Sequence, residues 1–108
     1  MWILGIDMAH MGLRYEDESP AVAGEGDMVE VEQRDRKRIE SMNAGDAGAF
    51  WSQVEDGGED DLKWCGSSPV YTFMKAVPEA RGRLQRYQQW NIDEQSVVSF
   101  AGMSFERT

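Results

Sequence analysis

Between Phe50-Trp51 and Leu62-Lys63-Trp64 the chain reads Glu55-Asp56-Gly57-Gly58-Glu59-Asp60-Asp61, five carboxylates and two glycines in seven residues. Like charges at that density repel, and desolvating them together is prohibitive, so the stretch is barred from any core. It predicts a solvated loop slung between two apolar anchors. A core must therefore be assembled from the segments on either side.

There is enough apolar material to do so. The 108 residues are 41% hydrophobic and include four Trp, four Phe, three Tyr and seven Met. A chain of this length is expected to form one domain, residues 1–108, around one small core. One cysteine, Cys65, leaves no intrachain disulfide and no cysteine-rich zinc module, and suits a reducing compartment. The apolar opening is ended by Asp7 with no basic segment ahead of it, so no secretory signal is expected. No run approaches the roughly 20 apolar residues that a spanning helix needs. The expectation is a soluble cytoplasmic protein without a membrane partner.

Residues 2–8 are apolar apart from Gly5 and Asp7 and predict a buried first strand. Residues 9–12 predict a turn and 13–16 an antiparallel return. Residues 16–27, with Pro20, Gly24 and Gly26, predict loop. Val29 and Val31 alternate with Glu30 and Glu32, predicting a strand over 28–32. Ile39 and Met42 predict a helix over 34–42, stopped by Asn43-Ala44-Gly45. Asp46 then caps a short helix over 47–54 that carries Phe50, Trp51 and Val54 on one face.

Beyond the acidic stretch, 61–65 predicts a short strand. Ser67-Ser68-Pro69 starts a helix with Val70, Phe73, Met74 and Val77 along one side. Ala80, Leu84 and Tyr87 predict another helix over 79–90. Residues 96–100 and 103–105 predict two strands joined by a turn at Ala101-Gly102. The sum is an α+β fold, a small antiparallel sheet with two to four short helices packed on one face.

Net charge is −9, which repels nucleic acid and anionic membranes and attracts basic proteins. The excess is concentrated. Residues 1–32 hold eight acids and one base, and residues 55–61 hold five acids and no base. Residues 33–54 and 62–108 each carry a small positive excess.

Ile3-Leu4-Gly5-Ile6-Asp7, with Gly12 five residues on, resembles the first strand of RNase-H-like nucleases and actin-like ATPases. That resemblance implies a strand-borne Asp7 that helps bind a catalytic divalent metal, and a glycine-bearing turn into strand two. His10 is the sole imidazole and Cys65 the sole thiol, so any nucleophilic pair must come from the fold. The acidic stretch lacks the alternating ligands and terminal Glu of a calcium loop. Gly24-Glu25-Gly26 puts a carboxylate where a phosphate would sit. No Gly-x-x-x-x-Gly-Lys pattern is present, and no metal or cofactor is expected. The two arginine groups, 34–38 and 81–86, are expected to pair with the acidic segments or to form solvated faces rather than to hold nucleic acid.

The expectation for function is a non-enzymatic interaction protein, monomeric or homodimeric, that binds a basic partner such as a nucleic-acid-binding complex. Its expected contacts are Glu55, Asp56, Glu59, Asp60 and Asp61, with Glu30 and Glu32 beside them and Trp51 and Trp64 as anchors. In size, acidity and Trp/Met content it is similar to the small inhibitors that phages and mobile elements direct against host nucleases, anti-CRISPR proteins among them. A metal-dependent nuclease built on Asp7 and a structural subunit with aromatics buried between copies are the alternatives.

Overall fold

The computed structural model describes residues 1–15, 17–55 and 60–107. It is an α+β fold. Strands β1 (Trp2–Gly12), β2 (Ala80–Asp93) and β3 (Ser96–Arg107) form an antiparallel sheet in the order β1-β3-β2. Helices α1 (Asp27–Asn43), α2 (Ala47–Val54) and α3 (Ser67–Ala76) cover one face. The shortest dimension, 18 Å, is that of one helix layer on one sheet.

The central strand shows which face is covered. Along β3, Val97, Ser99, Ala101, Met103 and Phe105 are buried, while Val98, Phe100, Gly102 and Ser104 between them are not. The register places Leu4 opposite Met103, Ile6 opposite Ala101 and Leu84 opposite Met103, so all three strands send these side chains to the helices. Phe50, Met74, Met28 and Met42 meet them from the helices. Edge-to-face contacts of Phe73 with Trp2 (5.8 Å) and with Phe105 (5.1 Å) close one end.

Several local expectations are corrected. Residues 28–32 belong to α1, not to a strand. The buried positions of α1 are Met28, Val31, Asp35, Arg38, Ile39 and Met42, a helical spacing whose two middle places are charged and therefore do not look apolar. Residues 80–93 are strand, not helix. A bulge between Leu84 and Arg86 adds one residue, so Leu84 and Tyr87, three apart, share the inner face and imitate helical spacing. Their further inward neighbours are Gln89 and Asn91, which tie down the 21–28 segment. Asn91 Nδ2 donates to the Ala21 carbonyl at 3.1 Å and Gln89 Nε2 to that of Met28 at 2.8 Å.

β3 runs straight through Ala101-Gly102, where a turn was expected. Residues 9–12 continue β1 across an irregularity between Asp7 and His10, and residues 13–15 form a 3-10 turn. Gly12 carries φ 110° and lies so close to the Gln95 carbonyl that any side chain would collide with it. Residues 61–65 are turn and coil, with Lys63 at φ 56°. Two expectations hold in place: Asp46 caps α2 by accepting from the Ala49 N–H at 3.0 Å, and α3 begins at Ser67, though with Gly66 as its N-cap and no side-chain cap.

Candidate functional site

α1 carries its arginines to the acidic stretch. Arg38 is buried and clamps Asp60 through both terminal nitrogens, at 3.0 and 2.8 Å. Asp60 also accepts the backbone N–H groups of Leu62 (3.1 Å) and Trp64 (3.0 Å). Burial pushes the Asp60 carboxyl up, but the Arg38 fork and the two amides outweigh it and hold the group below the usual carboxylate range. Asp61 forms a second fork with Arg34, at 2.9 and 2.7 Å, which likewise lowers its pKa. These two acids therefore serve the fold. They are pinned by the arginines of the same chain, as the charge pattern allowed.

The other expected contact residues are scattered. Trp64 is 3% exposed, lies under the Arg38 guanidinium at 5.1 Å, and belongs to the core, so it is not a surface anchor. Trp51 is half-buried against Tyr71, with ring centroids 4.8 Å apart. Glu55 is exposed at the C-terminal end of α2. Asp56 and Glu59 lie outside the described residues. Glu30 is exposed and close enough to Arg34 to add to the field of Asp61. Glu32 turns towards β2 and pairs with Arg36 at 2.7 Å, whose guanidinium lies over Tyr87. The helix thus keeps Glu30 beside Arg34 and Asp61 at the described end of the stretch and sends Glu32 to Arg36 instead.

The sequence reading missed Asp35 altogether. This carboxylate is fully buried and accepts three bonds of 2.6 Å, from Trp64 Nε1, Tyr87 Oη and Ser99 Oγ. Ser99 Oγ accepts in turn from the Ala9 N–H at 2.9 Å. One side chain of α1 so joins β1, β2, β3 and the 60–66 segment. Burial pushes the Asp35 carboxyl up against the pull of its three donors, and burial followed by the Asp35 charge pushes the Tyr87 hydroxyl up. The only sequence signal was an aspartate at a helix position that apolar neighbours on both sides mark as inward.

The remaining negative charge collects elsewhere. Between the end of β1, the 17–26 segment and the start of α1 lies a cleft of about 450 Å³. Met11, Pro20, Val22 and Met28 supply apolar lining, and Asp17, Glu18, Glu25 and Asp27 supply carboxylates. Asp17 is engaged, accepting from the Gly12 N–H and from Lys63 Nζ, each at 2.8 Å. Glu18, Glu25 and Asp27 are exposed and form no ion pair among the described residues. An apolar floor with an unneutralised acidic rim suits the stem and charged head of lysine or arginine.

The residues of the nuclease and nucleophile alternatives lie along one sheet edge, where Cys65 Sγ is 3.6 Å from the Asp7 carbonyl. No hydrogen bond joins Cys65 to His10 among the described residues. Asp7 points to the sheet face away from the helices, opposite Phe100. β1 is an edge strand followed by a 3-10 turn and α1, so the likeness to an RNase-H-like first strand stops before strand two. Among the described residues no three His, Cys, Asp or Glu side chains gather as metal ligands. His10 Nδ1 lies 2.8 Å from the Met8 carbonyl and 2.9 Å from that of Lys63. Cys65 is exposed, yet partial burial of the thiol and then the Asp7 charge raise its pKa, the reverse of nucleophile activation. No helix among the described residues is long and apolar enough to cross a membrane. No protein-family model matches the chain, and no curated protein sequence matches it.

Proposed function

We propose that this chain is a non-catalytic binding protein that receives a basic segment of a protein partner in the acidic cleft at the head of α1. The observation that carries the reading is the set of three carboxylates, Glu18, Glu25 and Asp27, left without cations around an apolar floor. The partner class follows from chemistry. A groove that normally binds nucleic acid displays Lys and Arg at phosphate spacing, and carboxylates on a preformed rim can occupy those positions. Binding there displaces the nucleic acid and inhibits the partner, the mode of a small phage- or mobile-element-type inhibitor acting in the host cytoplasm.

The rest of the charge assists at longer range. The net −9 steers a basic surface towards the cleft and raises the association rate at low salt. The test is affinity capture from the native host cell with the wild type and a Glu18→Gln/Glu25→Gln/Asp27→Asn variant, followed by association kinetics on the captured partner. The expected result is a basic nucleic-acid-binding protein whose association slows about tenfold or more with the variant and depends less steeply on salt. Capture that ignores the three substitutions, or a rate flat across ionic strength, would remove the cleft from consideration.

A further inference from the structure

The sheet face away from the helices is uncovered. Ile3, Gly5 and Asp7 of β1, Val98, Phe100 and Gly102 of β3, and Arg83, Arg86 and Trp90 of β2 alternate with the inward residues, and none of them is buried. Ile3 is 72% exposed and Trp90 58%. A sheet with one wet face ordinarily carries polar side chains there. An indole and an isoleucine left in water on strands flanking Val98 and Phe100 mark an interaction surface.

From this face we infer that the chain forms a two-fold dimer, with the open sheet of one copy packed on that of a second. Strand order and charge together favour a second copy as the occupant. A two-fold axis parallel to the central strand β3 lays β1 of each copy across β2 of the other. Asp7, on β1, has no cation partner among the described residues, and Arg83 and Arg86, on β2, have no ion pair or hydrogen bond there. The registers Asp7–Phe100–Gln88 and Gly5–Gly102–Arg86 then set Asp7 of each copy over Gln88 of the other, one outward position from Arg86. Two unneutralised acids so come beside two unneutralised guanidiniums in a self-complementary pattern. Phe100 and Val98 meet their own copies near the axis. Gly5 and Gly102, paired across the strands with open space where a side chain would stand, leave room for the Phe100 rings to lean.

The area is sufficient. Three strands spaced about 4.8 Å apart and rising about 3.3 Å per residue, taken over 11 residues, present roughly 500 Å² per copy. Two such faces reach about 1,000 Å², the lower bound of a specific interface. The local charge also separates a protein occupant from a nucleic acid. Arg81 stands opposite Glu106 and gives its guanidinium to the Pro78 and Ala80 carbonyls. Asp7 is thus left against Arg83 and Arg86, and the face carries only a small positive excess, far short of the run of cations that a phosphate backbone calls for.

This inference is independent of the cleft, which lies at the α1 head on the helix side. Sedimentation equilibrium across the micromolar range tests it. The expected mass is twice 12.2 kDa, with Trp90→Glu raising the dimer dissociation constant about 30-fold or more, as for one interface hot spot. Asp7→Arg and Arg86→Asp should each weaken the dimer about tenfold, and the double reversal should restore it to within about threefold. Far-UV circular dichroism confirms folding of each variant, none of which alters a buried residue. A monomer throughout the range overturns the dimer, as does a dimer indifferent to Trp90→Glu. Failure of the double reversal overturns the placement of β1 over β2. A monomer that binds a poly-dT oligonucleotide through Trp90 would assign the face to nucleic acid instead.

Discussion

Replacing Asp35 by Asn changes one atom in the middle of the fold and isolates what the buried carboxylate does. Trp64 Nε1–H can only donate, so the Asn oxygen must take the place of Oδ1 to keep that 2.6 Å bond. The new NH₂ then faces Tyr87 Oη and Ser99 Oγ, which both donated to the carboxylate. Each hydroxyl already accepts one bond, Tyr87 from Gln89 Nε2 at 3.1 Å and Ser99 from the Ala9 N–H. Each can accept a second, but its own proton is then orphaned in a buried site. Turning the amide over spares the hydroxyls and sets NH₂ against the indole N–H. One or two buried donors are lost in either case, at about 1–3 kcal/mol each. Some of this is offset because a buried charge also disappears.

The expected net destabilisation is about 2–4 kcal/mol, a large share of the 5–15 kcal/mol typical of a domain. Urea unfolding followed by tryptophan fluorescence measures it. The pH dependence has a defined sign. A carboxyl whose folded pKa is raised makes the folded state bind the proton more readily than the unfolded state. Stability therefore falls as pH rises from the ordinary carboxylate value through the raised one. Asn lacks that term, so the gap between wild type and variant should be widest in acid and narrow with rising pH. A variant as stable as wild type at every pH would refute the view that acceptance of three bonds is what this residue contributes.

Arg38→Met should cost about 3–5 kcal/mol, since it strips the cation from a part-buried Asp60. Because the Asp60 pKa is lowered in the fold, its contribution is present above the ordinary carboxylate value and is lost as pH falls through the lowered one; Arg38→Met should therefore flatten the acid limb of the stability curve, and an unchanged limb would contradict the pairing. Gly82→Ala places a methyl 2.5 Å from Phe105 Cε1 and 2.8 Å from Asn43 Oδ1, and should lower stability in urea by about 1–3 kcal/mol through overpacking. Cys65, though exposed, should alkylate with iodoacetamide more slowly at neutral pH than a free thiol, and Asp7→Asn should speed the reaction, because partial burial and then the Asp7 charge hold the thiolate back.

Much of this architecture is legible in the residues. Apolar runs bounded by turn residues mark the start of β1 and both halves of β3, and Asp46 and Ser67 mark where α2 and α3 begin. The pairing of acids with arginines follows from charge alone, whereas the partial burial of Asp60 against Arg38 does not. What misleads is polarity in inward positions. Asp35 and Arg38 break the apolar stripe of α1, so Val29 and Val31 look like a strand. Gln89 and Asn91 break the alternation of β2, and the bulge after Leu84 gives it a helical spacing. In each case the polar group is inward because a partner waits for it: Trp64, Tyr87 and Ser99 for Asp35, Asp60 for Arg38, and backbone amides and carbonyls of the 21–28 segment for the two amide side chains.

The sequence by itself determined the class of fold, the excess of negative charge and the two blocks that hold it, because composition and short-range periodicity act without knowledge of distant partners. Only the tertiary structure decided which acids remain available. It used Asp60 and Asp61 to hold α1, buried Trp64 and Asp35, and left Glu18, Glu25 and Asp27 around a cleft and Trp90, Phe100 and Ile3 on an open sheet. The physical reason is that a charge or an aromatic ring is neutralised or covered by groups far along the chain, and the fold alone brings those groups within reach.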